Sequence, residues 1–393
     1  MVTTTAPPQY LLSARNGVAV VFGLNGLGVA SWFARVPAAR DALDLSAGRL
    51  GMLLLAMSAG AILAMPTSGV ITHRLGPRRT VTMAAAIAAA GLAIAGLGGG
   101  MASIVVVGLG IFALGYGSGT CDVAMNVEGA AVERRLGRTI MPRFHAAWSL
   151  GTVAGAGIGA GAARVGLPLA AHLMLAAGVM LAGTLVAVRS FLAADPEAPR
   201  EKSGGVLAAW REPRTLLIGL LVLIMAFTEG TANDWLAVAF VDGHGVTEAA
   251  GAATFGVFVA AMTTGRTLGT LAIDRWGRVR TLTVTIFIAG AGALIAILAN
   301  SWAVALAGVA LWGVGASLGF PVGMSAAADE EHRAPARVSV VAVIGYTAFL
   351  AGPPLVGFLG DHTGTLKALL IVPLILLPAL ALVPATRRQP AAP

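Results

Sequence analysis

The chain has 393 residues, of which 57% are hydrophobic and only 11% are charged. Soluble domains carry roughly 25% charged residues, so this composition excludes an ordinary soluble protein. The formal net charge of +8 would suit a nucleic-acid ligand. The distribution of the basic residues along the chain argues against that class of partner.

Apolar stretches of at least 18 residues recur along the whole sequence, which is typical of membrane-spanning helices. Nothing alternates in polarity as the strands of a membrane barrel do. Helices also satisfy their own backbone hydrogen bonds, as the bilayer core requires. We therefore predict an all-α membrane protein with twelve transmembrane helices. Its spans are predicted at residues 14–36, 49–72, 79–99, 103–130, 143–165, 168–192, 214–241, 249–273, 280–299, 302–328, 336–360 and 365–385.

The basic residues follow the predicted topology. About 20 of the 26 Lys and Arg residues lie on the side of both termini, and about five lie on the other side. Cytoplasmic loops carry the excess of Lys and Arg, so we expect both termini in the cytoplasm. The N-terminal stretch MVTTTAPPQY lacks the pattern of a cleavable signal peptide, and the first span is expected to be retained.

The two halves of the chain resemble each other. GVITHRLGPRR at 69–79 follows span 2, and TLAIDRWGRVR at 270–280 follows span 8. Three glycines of span 4 recur in span 10 at an offset of 200 residues: 108, 115 and 119 against 308, 315 and 319. We predict a six-helix bundle at 1–192, a cytoplasmic linker at 193–213 with a short interfacial helix near 206–210, and a second six-helix bundle at 214–393.

Two parallel six-helix halves joined by a cytoplasmic loop resemble the major facilitator superfamily (MFS). The loop motif of that family reads glycine, three residues, acid, basic residue, any residue, glycine, basic residue. The second half matches it with Asp274, Arg275, Gly277 and Arg278. In the first half His73 replaces the acid and is followed by Arg74 and Arg78. The resemblance implies that these residues gate the cytoplasmic side, without the usual acid in the first half.

Ionisable residues inside spans cost roughly 2.5–3.5 kcal/mol at a helix centre, so each is a functional candidate. Asp122 in span 4 and Glu229 in span 7 are each followed four residues later by an asparagine, Asn126 and Asn233. Residues four apart share a helix face. A carboxyl group that alternately meets water and a dry cavity can carry a proton. We predict Asp122 and Glu229 as proton-coupling residues; the alternative for Asp122 is a structural hydrogen bond to a neighbouring helix.

Arg266 in span 8 is the candidate partner of Glu229 and is also considered as a gating residue. A pair would hold spans 7 and 8 together, and it could open during transport. The predicted depths of the two residues differ by roughly 10 Å, which is more than one salt bridge reaches. A long arginine side chain could close that gap. Asp234, near the outer end of span 7, is interpreted as an interfacial anchor.

Polar and aromatic residues at the depth of a central cavity are candidates for substrate binding. They are Asn25, Asn126, His145, Trp148, Asn233 and Tyr346. Packing is the alternative for Tyr346, and a hydrogen-bonded core position is the alternative for His145.

The segment GTCDVAMN resembles span 4 of fucose-type sugar/proton symporters, in which a glutamate is the proton site and an asparagine follows four residues later. Asp122 and Asn126 fall on those positions, and His145 falls on a sugar-contacting glutamine. Span 1 carries ASWFARVP, without the second carboxylate of the fucose carriers. The runs DVAMNVEGAAVERR and EGTANDW look most like a group of bacterial inner-membrane permeases without assigned substrates.

We therefore predict a secondary transporter of the bacterial inner membrane that imports a small polar solute, such as a sugar, together with protons. The alternative is proton-driven efflux of drugs or metabolites. Exporters of the superfamily usually carry an arginine in span 4 and a glycine-proline signature in span 5, and neither is present here. The sequence shows no metal-ligand spacing, phosphate loop or nucleophile constellation. We expect no enzymatic activity, no cofactor and no nucleic-acid partner; the expected partners are the substrate, protons and the lipid bilayer, with the chain as a monomer.

Overall fold

The structure, a computed structural model, describes residues 8–137, 140–192, 206–330 and 333–387. All regular secondary structure in these residues is helical. The chain divides into two compact units: the first comprises Met1–Asp44 and Leu53–Ala198, and the second comprises Leu45–Met52 and Pro199–Pro393. Residues 193–205 of the predicted linker lie outside the described residues. The predicted bundle boundaries stay a prediction.

The helices follow the apolar stretches of the sequence. In the first half they are α1 (Gln9–Phe33), α2 (Val36–Ala42), α3 (Ala47–Gly100), α4 (Ile104–Leu136), α5 (Met141–Arg164) and α6 (Leu169–Ala187), with a 3₁₀ turn at Val188–Ser190. In the second half they are α7 (Val206–Ala209), α8 (Pro213–His244), α9 (Glu248–Leu298), α10 (Trp302–Ala316), α11 (Gly319–Ala327), α12 (Ala334–Thr363), α13 (Thr365–Ala368) and α14 (Ile371–Leu382), with a 3₁₀ turn at Val383–Thr386.

Among the described residues, nine helical segments are long and apolar enough to cross a membrane. Two of them, α3 with 54 residues and α9 with 51, are more than twice the roughly 20 residues that one crossing needs. Each breaks at a glycine in a conformation that L-residues rarely adopt: Gly76 has φ 78° and ψ 158°, and Gly277 has φ 77° and ψ 165°. Counting two spans in each, and adding the Gly- and Ala-rich α5 of 24 residues, gives twelve crossings. The predicted fold class is confirmed.

The repeat is present in three dimensions, but its predicted register was wrong in α4 and α10. The backbone of Gly110 lies against Gly91, and that of Gly308 lies against Gly292, so closely that a side chain would collide. The offset is therefore 201 residues from α3 to α9 and 198 from α4 to α10, not 200. The second part of α3 runs from Gly76 to Gly100, three residues longer than the stretch from Gly277 to Leu298. A constant offset of 200 residues, as predicted from the sequence, does not account for this difference in helix length.

Candidate functional site

Asp122 and Asn126 lie one turn apart on α4, and both are half-buried. The side-chain amide of Asn126 donates a hydrogen bond to the carboxylate of Asp122 (Nδ2–Oδ1 3.2 Å) and another to the backbone carbonyl of the same residue (2.8 Å). In the described part of the chain, Asp122 forms no ion pair. Here the i to i+4 spacing brings the acid and the amide into direct contact, and no basic side chain of the described residues neutralises the acid.

Asn25 connects α1 to α4 one helical turn before Asp122. Its side-chain amide donates to the backbone carbonyl of Ser118 at 3.3 Å, and the residue is only 4% exposed. Ser118 precedes Asp122 by one turn. Asn25 therefore positions the segment that carries the acid; the part predicted for it in substrate binding stays a prediction.

His145 and Trp148 lie near the start of α5. The His145 ring is exposed and meets the ring of Phe22 edge-on, with centroids 5.3 Å apart. Trp148 is half-buried and packs against the apolar cluster that contains Phe22 and Phe144. His145 is therefore the more accessible of the two, and contact of either residue with substrate stays a prediction.

Glu229 on α8 and Arg266 on α9 form a two-pronged ion pair in the second unit. One guanidinium nitrogen of Arg266, Nη2, donates to both carboxylate oxygens of Glu229, at 3.0 and 2.9 Å. The side chains are 18% and 31% exposed, so the protein encloses the pair only partly. The depth difference expected from the sequence does not separate them. The ion pair joins α8 to α9. This is the arrangement expected if Glu229 and Arg266 hold spans 7 and 8 together.

Arg266 also holds the break between α10 and α11. Its Nε donates to the backbone carbonyl of Ser317 at 3.3 Å. In a continuous helix that carbonyl would accept from residue 321, but Pro321 has no N–H to donate. The guanidinium therefore satisfies an acceptor that the proline leaves open. One arginine thus couples the acid of α8 to the interruption of the tenth span.

Asn233 and Asp234 follow Glu229 by about one turn and are half-buried. Neither forms a side-chain hydrogen bond or ion pair with the described residues. Tyr346 on α12 packs between Phe320 and Phe349, with ring centroids 6.1 and 6.0 Å away. Asn233 is therefore available to a ligand, Tyr346 belongs to a half-buried aromatic group, and Asp234 becomes a second intramembrane acid without a partner in the described residues.

The predicted gating residues differ in their contacts. Arg278 pairs with Asp329 at 2.7 Å and donates to the Ser325 hydroxyl at 2.9 Å. The same carboxylate accepts from Arg214 at 2.9 Å. The remaining motif residues are exposed and form no side-chain hydrogen bond or ion pair within the described ranges: His73, Arg74, Arg78, Asp274 and Arg275. The sequence analysis missed Asp329, although its position just after span 10 was a usable signal.

Two carboxylates of the first half bind backbone amides. Glu133 Oε2, at the end of α4, accepts from Ile140 N (2.6 Å) and Met141 N (2.7 Å), where α5 begins. Glu128 is 3% exposed, and its Oε1 accepts from Leu192 N at 2.6 Å. Both residues therefore hold chain turns in place. Sequence patterns carry no signal for a bond to a backbone amide several residues away.

Several known proteins are similar to this chain. An uncharacterised MFS-type transporter of Yersinia pestis is 31% identical over 368 residues, covering 93% of this chain and 94% of that protein. An uncharacterised transporter of Sinorhizobium fredii is 33% identical over 359 residues, with 89% and 92% covered.

Solved structures are similar in fold at low sequence identity. A bacterial homologue of the human lysosomal transporter Spinster superposes with a TM-score of 0.78 at 14% identity, covering 98% and 100% of the two chains. A variant of the nucleoside transporter NupG gives 0.79 at 12% identity, with 95% and 99% covered. A variant of the Escherichia coli fucose:proton symporter FucP gives 0.65 at 17% identity, with 97% and 100% covered.

The model of the Major Facilitator Superfamily matches residues 18–284 and 222–393, which together cover nearly the whole chain. The twelve crossings and the two glycine-broken double helices agree with that match. The chain is a multi-pass membrane protein that belongs to the Major Facilitator Superfamily of transporters.

Proposed function

We propose that this transporter imports a small polar solute of the sugar class together with protons, with Asp122 as the proton-coupling residue. The observation that carries the proposal is the surroundings of Asp122. Its carboxylate lies within a membrane span and accepts from Asn126, and no described basic side chain pairs with it. A lone intramembrane carboxylate is costly, so it calls for a function.

The second unit supports this assignment by contrast. Glu229 is paired with the guanidinium of Arg266, so its charge is compensated within the membrane span. In the transport cycle the Glu229–Arg266 pair first holds α8, α9 and the break at Ser317 together. It then opens. Asp234, which has no such partner in the described residues, replaces Glu229 as the second candidate for the proton site.

Polar and aromatic side chains of the kinds that bind hydroxylated solutes support the proposed substrate class. Asn126, His145 and Asn233 offer hydrogen-bonding groups that suit hydroxylated solutes, and Tyr346 offers an aromatic ring. Two of the structurally similar proteins are a fucose:proton symporter and a nucleoside transporter, and both solutes carry several hydroxyl groups. We propose that the protein is a monomer in the bacterial inner membrane. The basic loops predict that both of its termini are cytoplasmic.

The test uses purified protein in liposomes that contain a pH-sensitive dye. Pentoses, hexoses and nucleosides are added outside one at a time. Symport carries protons inward with the solute and acidifies the lumen, whereas exchange of solute for protons makes it alkaline. We expect acidification with at least one hydroxylated solute. Alkalinisation with every transported solute would favour efflux and overturn the proposal.

Asp122→Asn then tests the proton site. The variant should lose solute-driven acidification while it still exchanges labelled solute across the membrane, because exchange needs no net proton movement. Asp41→Asn is the matched control, since this exposed carboxylate near the end of α2 lies outside the gating motif and forms no side-chain hydrogen bond or ion pair in the described residues. Acidification at the wild-type level in Asp122→Asn would move the proton site to Asp234.

A further inference from the structure

A groove of about 480 Å³ lies on the exposed face of α9, at the break at Gly277. The residues that line it are Trp276, Val279, Arg280, Thr283 and Val284. The four residues after the break recur every three or four positions and therefore form one stripe along the helix. Trp276 joins them from the position just before Gly277. Arg280 is the one charged residue among these five.

The stripe continues as an apolar face along the rest of α9. Val284, Phe287, Leu294 and Leu298 follow Arg280 on the same side, and all four are exposed. From Arg280 to Leu298 the helix rises roughly 27 Å, close to the roughly 30 Å of the hydrocarbon core. This face therefore looks onto the lipid acyl chains, and Arg280 lies at the edge of the hydrocarbon.

Arg280 and Trp276 have the chemistry of the lipid–water boundary. Tryptophan is enriched at that level of the membrane. Arg280 is exposed and has no ion-pair partner in the described part of the chain, whereas nearby Arg278 is occupied by Asp329. A guanidinium binds phosphate oxygens in a two-pronged arrangement. The groove thus offers a phosphate-binding cation directly above an apolar track.

We infer that the groove binds an anionic phospholipid from the surrounding leaflet, which is the cytoplasmic leaflet in the proposed topology. The phosphate of the headgroup contacts Arg280, Trp276 lies beside the glycerol region, and one acyl chain follows Val284 and Phe287. The site is on the lipid-facing surface of α9 and does not depend on which solute is carried.

The test measures quenching of Trp276 by phospholipids with brominated acyl chains. Purified protein in detergent is titrated with brominated phosphatidylglycerol or brominated phosphatidylcholine. The chain has seven tryptophans, and subtracting the signal of Trp276→Phe separates this residue from the other six. We expect phosphatidylglycerol to bind about fivefold more tightly, as one basic residue near an anionic headgroup provides. Arg280→Gln should remove that preference.

Arg275→Gln is the matched control, because it removes the same charge from an exposed site on the other side of Gly277 and outside the groove. It should keep the preference for phosphatidylglycerol. Equal binding of the two lipids by the wild type, or an equal loss in both arginine variants, would overturn the proposal. Displacement by glycerophosphoglycerol, which has no acyl chains, would show a free-anion site and would overturn it too.

Discussion

The two halves of the transporter place an acid and an asparagine at the same spacing and use them differently. On α4, Asn126 donates to Asp122 and no described cation joins them. On α8, Glu229 is bound by Arg266, while Asn233 makes no bond to it. In the described residues the first arrangement leaves the acid without a cation, and the second gives an ion pair that links helices. A repeated sequence pattern therefore does not imply a repeated chemistry.

The carboxylates near the ends of the spans also have different partners in the two halves. In the first half Glu128 and Glu133 accept from backbone amides. In the second half the carboxylates of Glu212 and Asp329 pair with arginines. When the two halves are aligned at their kink glycines, Gly76 and Gly277, the residue that corresponds to Arg278 is Pro77 and not Arg78. The first half therefore has no arginine at the position that binds Asp329 in the second.

The largest expected effect comes from breaking the pair of α8 and α9. Glu229→Gln and Arg266→Gln should each lower the free energy of unfolding by about 2 kcal/mol, below the usual cost of an unpaired buried charge because the pair is only partly buried. The double variant should lose less than the sum of the two. Reversible unfolding in mixed detergent micelles measures this cycle. The exposed residues Asp274 and Arg275 serve as the control cycle, and a coupling under about 0.5 kcal/mol for Glu229 and Arg266 would contradict the pair.

In the first half, removing the Glu133 carboxylate that caps the start of α5 should lower the free energy of unfolding by a smaller amount. Glu133→Ala leaves the Ile140 and Met141 amides without their acceptor and should cost about 1 kcal/mol. Glu133→Gln keeps an acceptor oxygen and should cost less. Arg134→Ala, at the next exposed position, is the control. The same unfolding assay checks the order, and equal stability of the alanine and glutamine variants would argue against capping.

Pro321→Ala tests why Arg266 reaches the break in the tenth span. Residue 321 would then have an N–H for the Ser317 carbonyl, so the loss in Arg266→Gln should shrink by about 0.5–1 kcal/mol. Pro378→Ala in α14 changes another proline inside a helix and should not alter the effect of Arg266→Gln. Additive effects of Pro321→Ala and Arg266→Gln would show that the carbonyl contact contributes nothing.

The smallest effect is the pH dependence of the carboxylate at the start of α8. Burial raises the pKa of Glu212, but hydrogen bonds from Arg337 and Thr215 and the charges of Arg337 and Arg333 outweigh it and lower the pKa. Because the pKa is lower in the folded state, the stabilisation is present above the ordinary carboxyl value and is lost as the pH falls through the folded-state value.

Glu212→Gln should therefore cost about 0.5 kcal/mol near neutral pH, since the side chain is partly exposed, and the difference from the wild type should shrink in acid. Thermal unfolding of both proteins between about pH 7 and pH 3 measures this difference. A difference that stays constant over that range would rule out the carboxylate as its source.

Local sequence determined the features that depend on one stretch of chain. The apolar runs determined the crossings, and the motif glycines marked the breaks, because a residue with positive φ interrupts a helix wherever it lies. The shared helix face of Asp122 and Asn126 also followed from the sequence, because residues four apart lie on one side of an α-helix. Whether the two side chains then bond depends on their surroundings, since Asn126 bonds to Asp122 but Asn233 does not bond to Glu229.

The tertiary structure decided which distant charges meet. Glu229 and Arg266 are 37 residues apart in the chain, and the predicted spans placed them at different depths. An ion pair requires its atoms to lie within about 4 Å, whereas an error of a few residues in a helix end shifts depth by more than that. Helix packing decided three further features in the same way. They are the correspondence between the glycines of α4 and those of α10, the Arg278–Asp329 pair, and the backbone contacts of Glu128 and Glu133.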